Sequence, residues 1–183
     1  MLFYTRSCII NIMLIEKAIK NFPKQFAYNP EVKNKENLKD ANSFTVAGMG
    51  GSSLAAYLVK SWNPGLDLAL HRNYGLPAAL KEKKDKHLFI ASSYSGNTEE
   101  TLDAFRSAMN EGLHVAAVST GGILLELARD HGVPYVQLPD VGLEPRSACG
   151  FSTLALCALM QNEEAQELLH ALEKNLDIKR AQE

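Results

Sequence analysis

The chain reads as an α/β protein built on a parallel sheet with helices covering both faces. Three observations predict this. Short, almost continuous apolar runs recur along the 183 residues, helical patterns separate them, and turn residues sit at the joins. Strands are expected at Phe44–Gly48, Leu66–Leu70, His87–Ser92, His114–Ser119 and Tyr135–Leu138. Helices are expected at Ser52–Ser61, Thr98–Glu111, Ile123–His131, Arg146–Gln161 and Glu163–Lys179.

Taken in order, residues 1–12 are apolar but lack the basic leader and small-residue cleavage site of a signal peptide. Glu16 and Lys17 come too early for a membrane span. Met13 opens a better helical pattern, Met13–Phe22, and is a candidate start of the protein. Residues 23–43, with Pro23, Pro30 and several Lys, Asn and Glu, read as a solvated connection. Residues 1–43 thus form an N-terminal helix and connection, 44–161 the sheet domain, and 162–183 a C-terminal amphipathic helix. In the sheet domain, Asn97 followed three residues later by Glu100 reads as a capping box. Gly112 and Gly132 stand where helix C-termini should end. Helix Arg146–Gln161 is apolar nearly all round, as a buried or interface helix would be, while Leu168, Leu169, Leu172 and Leu176 form a stripe on the last helix.

With 46% hydrophobic and 22% charged residues and a net charge of −2, the composition is that of a globular protein and disfavours nucleic acid as a partner. The sole lysine cluster, Lys81-Glu82-Lys83-Lys84, is diluted by Glu82 and Asp85. Cys8, Cys149 and Cys157 form no disulfide framework and no zinc-ligand spacing, so neither metal nor cofactor is expected and a cytoplasmic setting is. Cys149 and Cys157 read as small buried hydrophobes.

Chemistry is expected at the carboxyl ends of the strands, where ligands of open α/β sheets collect. Three loops there are rich in small donors: Gly48-Met49-Gly50-Gly51-Ser52-Ser53, Ser92–Thr101, and Ser119-Thr120-Gly121-Gly122. A strand ending in hydroxyls and opening a helix gathers N–H and O–H donors where the helix dipole is positive, which suits phosphate. Capping accounts for Asn97 and Glu100 but leaves Ser93, Ser95 and Thr98 for a ligand. Glu144-Pro145-Arg146 puts a cation in a first helical turn, where it opposes its own helix dipole and favours an anion nearby. A dinucleotide fingerprint is incomplete: the third glycine position holds Ser53, and the second strand ends in His71-Arg72 rather than an acid. Arg72 leaves NADP as a remote alternative.

Gly48-Met49-Gly50-Gly51-Ser52, Ser93-Tyr94-Ser95-Gly96-Asn97-Thr98 and Pro145-Arg146-Ser147 resemble the sugar isomerase (SIS) domain, most of all the amino-terminal half of bifunctional phosphoglucose/phosphomannose isomerases, over roughly residues 13–160. The resemblance implies a flavodoxin-like five-stranded parallel sheet and a sugar-phosphate ligand. It implies that Gly51, Ser52, Ser93, Ser95 and Thr98 hold the phosphate and that Arg146 stabilises an enediolate as glucose or mannose 6-phosphate and fructose 6-phosphate interconvert. In that family a second SIS domain supplies the glutamate base and the ring-opening histidine, and this chain is expected to lack it. A homodimer, or a second SIS domain packed on helix 146–161, would complete the site. A non-catalytic phosphosugar-binding module is the alternative.

Overall fold

The computed structural model describes residues 15–78, 80 and 85–177. The sheet has six strands: β1 (Val32–Lys33), β2 (Ser43–Ala47), β3 (Asp67–His71), β4 (His87–Ser92), β5 (His114–Ser119) and β6 (Tyr135–Gln137). Their order is β1-β6-β5-β4-β2-β3. β2 to β6 pair in parallel, and read from the β3 edge they follow the flavodoxin-like order 2-1-3-4-5. The strand order reverses between β2 and β4.

The helices are α1 (residues 15–21 of it described), α2 (Leu54–Trp62), α3 (Glu99–Asn110), α4 (Gly122–Asp130), α5 (Cys149–Leu159) and α6 (Glu163–Asn175). The two-residue period of the strands sorts the core into two layers. Phe44, Val46, Leu88, Ile90, Ala116 and Val118 face α2 and α5. Ala91, Ala117 and Tyr135 face Leu102 and Phe105 of α3 and Leu124 and Leu125 of α4. β2 and β4, flanked on both sides and covered on both faces, are buried at every residue, whereas edge strand β3 is not. α3 and α4 both end in Schellman turns. Gly112 (φ +70°) and Gly132 (φ +63°) take the left-handed position, and Leu113 and Val133 donate back to Ala108 and Ala128 at 3.1 and 2.8 Å. Cys149 and Cys157 are buried, and burial pushes both thiols up, that of Cys157 to about 12.

Four expectations need correction. Residues 23–43 are more than a solvated connection. The sheet has six strands where five parallel ones were expected: β1 adds an antiparallel edge to β6, with Val32 opposite Val136, and the amides of Asn34 and Asn37 donate to Val133 and Gly132 at 2.9 and 2.8 Å. Two residues in a polar stretch carry too little periodicity to betray a strand. Helix 146–161 begins as a 3-10 turn, Pro145–Ala148, and becomes α5 only at Cys149. Of the two readings of its apolar circumference, the buried one holds: α2, α6 and the 3-10 segment Phe22–Ala27 all pack on it. On α6 the inward stripe is Ala165, Leu169 and Leu172, with Leu168 and Leu176 exposed to solvent. The exposed apolar stripe lies instead on α2, where Leu54, Tyr57, Leu58 and Trp62 are 39–51% exposed. Lys179, the expected end of the last helix, falls outside the described residues. No helix among the described residues is long and apolar enough to cross a membrane.

Candidate functional site

The loops after β2 and β4 meet at the switch point because neither brings bulk to the join. A Cβ on Gly48 would stand 2.7 Å from the Ser92 carbonyl. Ser92 Oγ donates to the Ser52 carbonyl at 3.1 Å, and Ser52 Oγ accepts the Tyr94 N–H at 2.9 Å. The glycine loop itself is a 3-10 turn, Gly50–Ser53, leading into α2, with Gly50 at φ +52° and Ser53 Oγ donating to the Gly50 carbonyl at 2.8 Å.

The serine loop is braced from within and from the next loop. Ser93 is fully buried; its Oγ shares a 2.9 Å hydrogen bond with Thr98 Oγ1 and accepts the Gly96 N–H at 3.1 Å. Gly96 takes φ +73°, and a Cβ there would overlap the Gly121 carbonyl at 1.9 Å. Ser119 Oγ and Thr120 Oγ1 both donate to the Tyr94 carbonyl, at 3.1 and 2.8 Å. The third donor-rich loop therefore spends its hydroxyls holding the second. Ser95 stays exposed at the loop's tip, accepting only the Asn97 N–H at 3.3 Å, and Thr98 is half-buried.

The expected capping box does not form. Thr98, not Asn97, is the N-cap of α3, and no side chain caps that end. Asn97 Oδ1 instead accepts the Ile123 N–H of α4 at 3.1 Å. The reason is local: α4 starts at Gly121-Gly122, which offers no side-chain oxygen of its own, so the neighbouring loop supplies one. The first-turn N–H groups of α3 consequently open onto Ser95 and Thr98 without a capping side chain in competition.

The third contributor is the 3-10 turn Pro145–Ala148, closed by the Ser147 N–H donating to the Glu144 carbonyl at 2.8 Å. Arg146 lies one turn ahead of α5 rather than inside it, exposed, and among the described residues its guanidinium has no ion pair or hydrogen bond. Its backbone rests on the glycine loop: a Cβ on Gly51 would come 2.6 Å from Arg146 N and 2.9 Å from Pro145 Cβ. Gly51, Ser52 and the backbone of Arg146 are thus held side by side. Ser93, Ser95 and Thr98 line the adjoining loop, joined to them through Tyr94.

Tyr94 itself packs against the core, and among the described residues its buried hydroxyl has no hydrogen-bond partner. Burial, and then the Asp140 carboxylate, push its pKa up, while the Leu143 backbone opposes from outside hydrogen-bond geometry. His71 ends β3 next to the glycine loop; its carbonyl accepts the Gly48 N–H at 3.1 Å and its Nε2 donates to the Gly75 carbonyl at 2.9 Å. Arg72 turns away, stacked 4.5 Å over the Tyr57 ring, so no 2′-phosphate is needed to explain its charge. Two contributors escaped sequence reasoning, Tyr94 and Gln25. Gln25 lies 121 residues before Arg146 and carries no local signal of its role.

No protein-family model matches the chain. Over 150 residues it is 36% identical to a bifunctional phosphoglucose/phosphomannose isomerase of Caldicellulosiruptor bescii, a match covering 78% of this chain and 43% of that protein. The enzyme of the same description from Thermoplasma acidophilum is also 36% identical, over 140 residues, covering 73% of this chain and 43% of the relative. The sugar isomerase domain of an RpiR transcription factor from Sphaerobacter thermophilus superposes with a TM-score of 0.53 at 17% identity, over 91% of this chain and 98% of that one. The chain is a SIS domain, homologous to these isomerases. It spans less than half the length of the two isomerases it matches. The fold of this SIS domain extends to the Vibrio vulnificus NanR protein complexed with ManNAc-6P, at a TM-score of 0.53 and 14% identity, covering 93% of this chain and 72% of that one.

Proposed function

We propose that this SIS domain binds a hexose 6-phosphate and takes part in its aldose–ketose isomerisation, between glucose or mannose 6-phosphate and fructose 6-phosphate. The observation that carries this reading is the convergence at the switch point of the sheet of the glycine loop, the serine loop and Arg146, which is unpaired among the described residues. The exposed hydroxyl of Ser95, that of Thr98, and the donors of Gly51, Ser52 and the α3 N-terminus receive the phosphate. Ser93, fully buried, contributes by holding Thr98 and Gly96 in place. Arg146 stabilises the oxyanion of the enediolate as a proton passes between C1 and C2, because a fixed cation at a developing negative charge favours the transition state over the substrate.

The test is direct. Saturating fructose 6-phosphate should raise the melting temperature, since a ligand at a hundred times its Kd adds about 2.7 kcal/mol, while free fructose should not. Ser95→Ala should lose most of that shift at an unchanged unliganded melting temperature. A shift of equal size with fructose, or in Ser95→Ala, would sink the phosphate assignment. Conversion of fructose 6-phosphate to an aldose phosphate then separates enzyme from binding module. The second reading, a phosphosugar-binding module without catalysis, is favoured by His71, whose Nε2 is committed to the Gly75 carbonyl. Binding without turnover would establish it.

Isomerisation also needs a base near C1/C2 and a group that opens the ring. A second copy of this chain, docked on α2, brings further groups to the rim, since the Leu54–Trp62 stripe starts at the end of the glycine loop. Tyr57 and Trp62 each present roughly half of an aromatic surface of about 150–250 Å², the anchor type on which interfaces depend. Sedimentation should show a dimer at micromolar concentration and a monomer for Trp62→Glu; a monomeric wild-type protein overturns the homodimer.

A further inference from the structure

The side chain of Gln25 is spent on residues more than a hundred positions along the chain. It sits in the 3-10 segment Phe22–Ala27, is 3% exposed, and reaches the start of α5. Its Nε2 donates to the Ser147 carbonyl at 2.6 Å, and its Oε1 accepts the N–H groups of Gly150 at 3.0 Å and Phe151 at 3.3 Å. α5 has Ala148 at its N-cap and no cap from its own side chains, so Gln25 takes up two of its orphan donors from outside. Gly150 makes the approach feasible: a Cβ there would stand 2.8 Å from Gln25 Cβ and 2.9 Å from its Oε1.

One amide therefore grips both sides of residue 148. Its donor end holds the carbonyl of Ser147, the residue after Arg146, and its acceptor end holds the first turn of α5. On the other side of the same turn, Arg146 N and Pro145 rest on Gly51. The turn carrying Arg146 is clamped between Gln25 and the glycine loop, with only one intervening residue between Arg146 and Ala148.

We infer that Gln25 is a positioning residue: it sets where the Arg146 guanidinium stands over the substrate. The inference rests on the proposed role of Arg146, but the clamp itself has a readout that needs no substrate. A glutamine is required rather than any capping group. Glutamate keeps the acceptor for Gly150 and Phe151 but turns a lone pair toward the Ser147 carbonyl. Methionine keeps the volume and loses both bonds.

The experiment compares wild type, Gln25→Met and Gln25→Glu in native-state trypsin digestion, following by mass spectrometry the cleavage after Arg146 against that after Arg106 on α3. Opening of one local segment should raise the Arg146 cut about tenfold relative to the Arg106 cut in both variants, because cleavage tracks the open population. In the isomerase assay with fructose 6-phosphate, kcat should fall about tenfold to a hundredfold with KM within about twofold, the mark of a displaced transition-state group. Equal acceleration of both cuts would mean a merely structural role and would overturn the inference. So would an unchanged Arg146 cut, or a rise in KM at wild-type kcat. A selective rise at Arg146 in the variants, with a wild-type protein that shows no turnover, would keep the clamp and remove only the isomerase reading. If Gln25→Met fails to fold, Gln25→Glu carries the same comparison.

Discussion

Gly96→Ala should destabilise the protein by about 2–5 kcal/mol, the sum of a left-handed penalty of about 1–2 kcal/mol and an overpacking cost of about 1–3 kcal/mol. Both terms come from geometry: φ is +73°, and the new Cβ would lie 1.9 Å from the Gly121 carbonyl, which is backbone and cannot rotate away. The substitution also drives apart the two loops that Ser119, Thr120 and Asn97 stitch together, so fructose 6-phosphate binding should go with it. Gly112→Ala is the internal control. It has φ +70° but nothing within 4 Å, so it should bear the conformational cost alone, about 1–2 kcal/mol. Thermal melting followed by circular dichroism checks both. Equal shifts for the two would show that the close contact at Gly96 relaxes and that only backbone conformation counts.

Arg146→Gln should lower kcat for fructose 6-phosphate about 10²–10³-fold while leaving KM nearly unchanged, the size expected when one stabiliser of an oxyanion is removed. Stability should hardly move. The side chain is exposed and unpaired among the described residues, and such surface changes are usually within about 0.5 kcal/mol. Arg146→Lys should recover only part of the rate, because an ammonium restores charge without the planar fork. Steady-state kinetics decide it: a higher KM at wild-type kcat would move Arg146 from the enediolate to substrate binding. The contrast with Gln25 is informative, since both variants act on the same guanidinium, one by removal and one by displacement.

The parts legible in the sequence are those whose causes are local. Apolar runs bounded by turn residues located β4 and β5 to the residue, and Gly112 and Gly132 marked two helix ends correctly. The candidate loops were legible for the same reason: small residues after a strand show themselves without a partner. β1 stayed hidden because a two-residue strand exists only by pairing with β6, a hundred residues away. The capping box failed on a similar point. Asn97 has the right spacing to cap α3, yet the bare Gly121-Gly122 start of α4 lies close enough to take its oxygen. Helix 146–161 has an apolar circumference that the sequence explains equally well by a partner or by the core. The packing of α6 and Phe22–Ala27 on it favours the core and leaves α2 with an exposed apolar stripe.

The sequence by itself determined the α/β class, the strand–loop–helix units, and the residue types gathered at the carboxyl ends of the strands. Each follows from short-range rules of periodicity, capping and turn chemistry. Tertiary structure alone decided which of those residues stay open to solvent and which brace the loops. Ser93, Ser119 and Thr120 turn their hydroxyls inward, Ser95 and Arg146 remain exposed, and Gln25 reaches across the chain to hold the turn that carries Arg146. The physical reason is that a buried polar group must find a partner, and the fold, not the local sequence, chooses which partner is within reach.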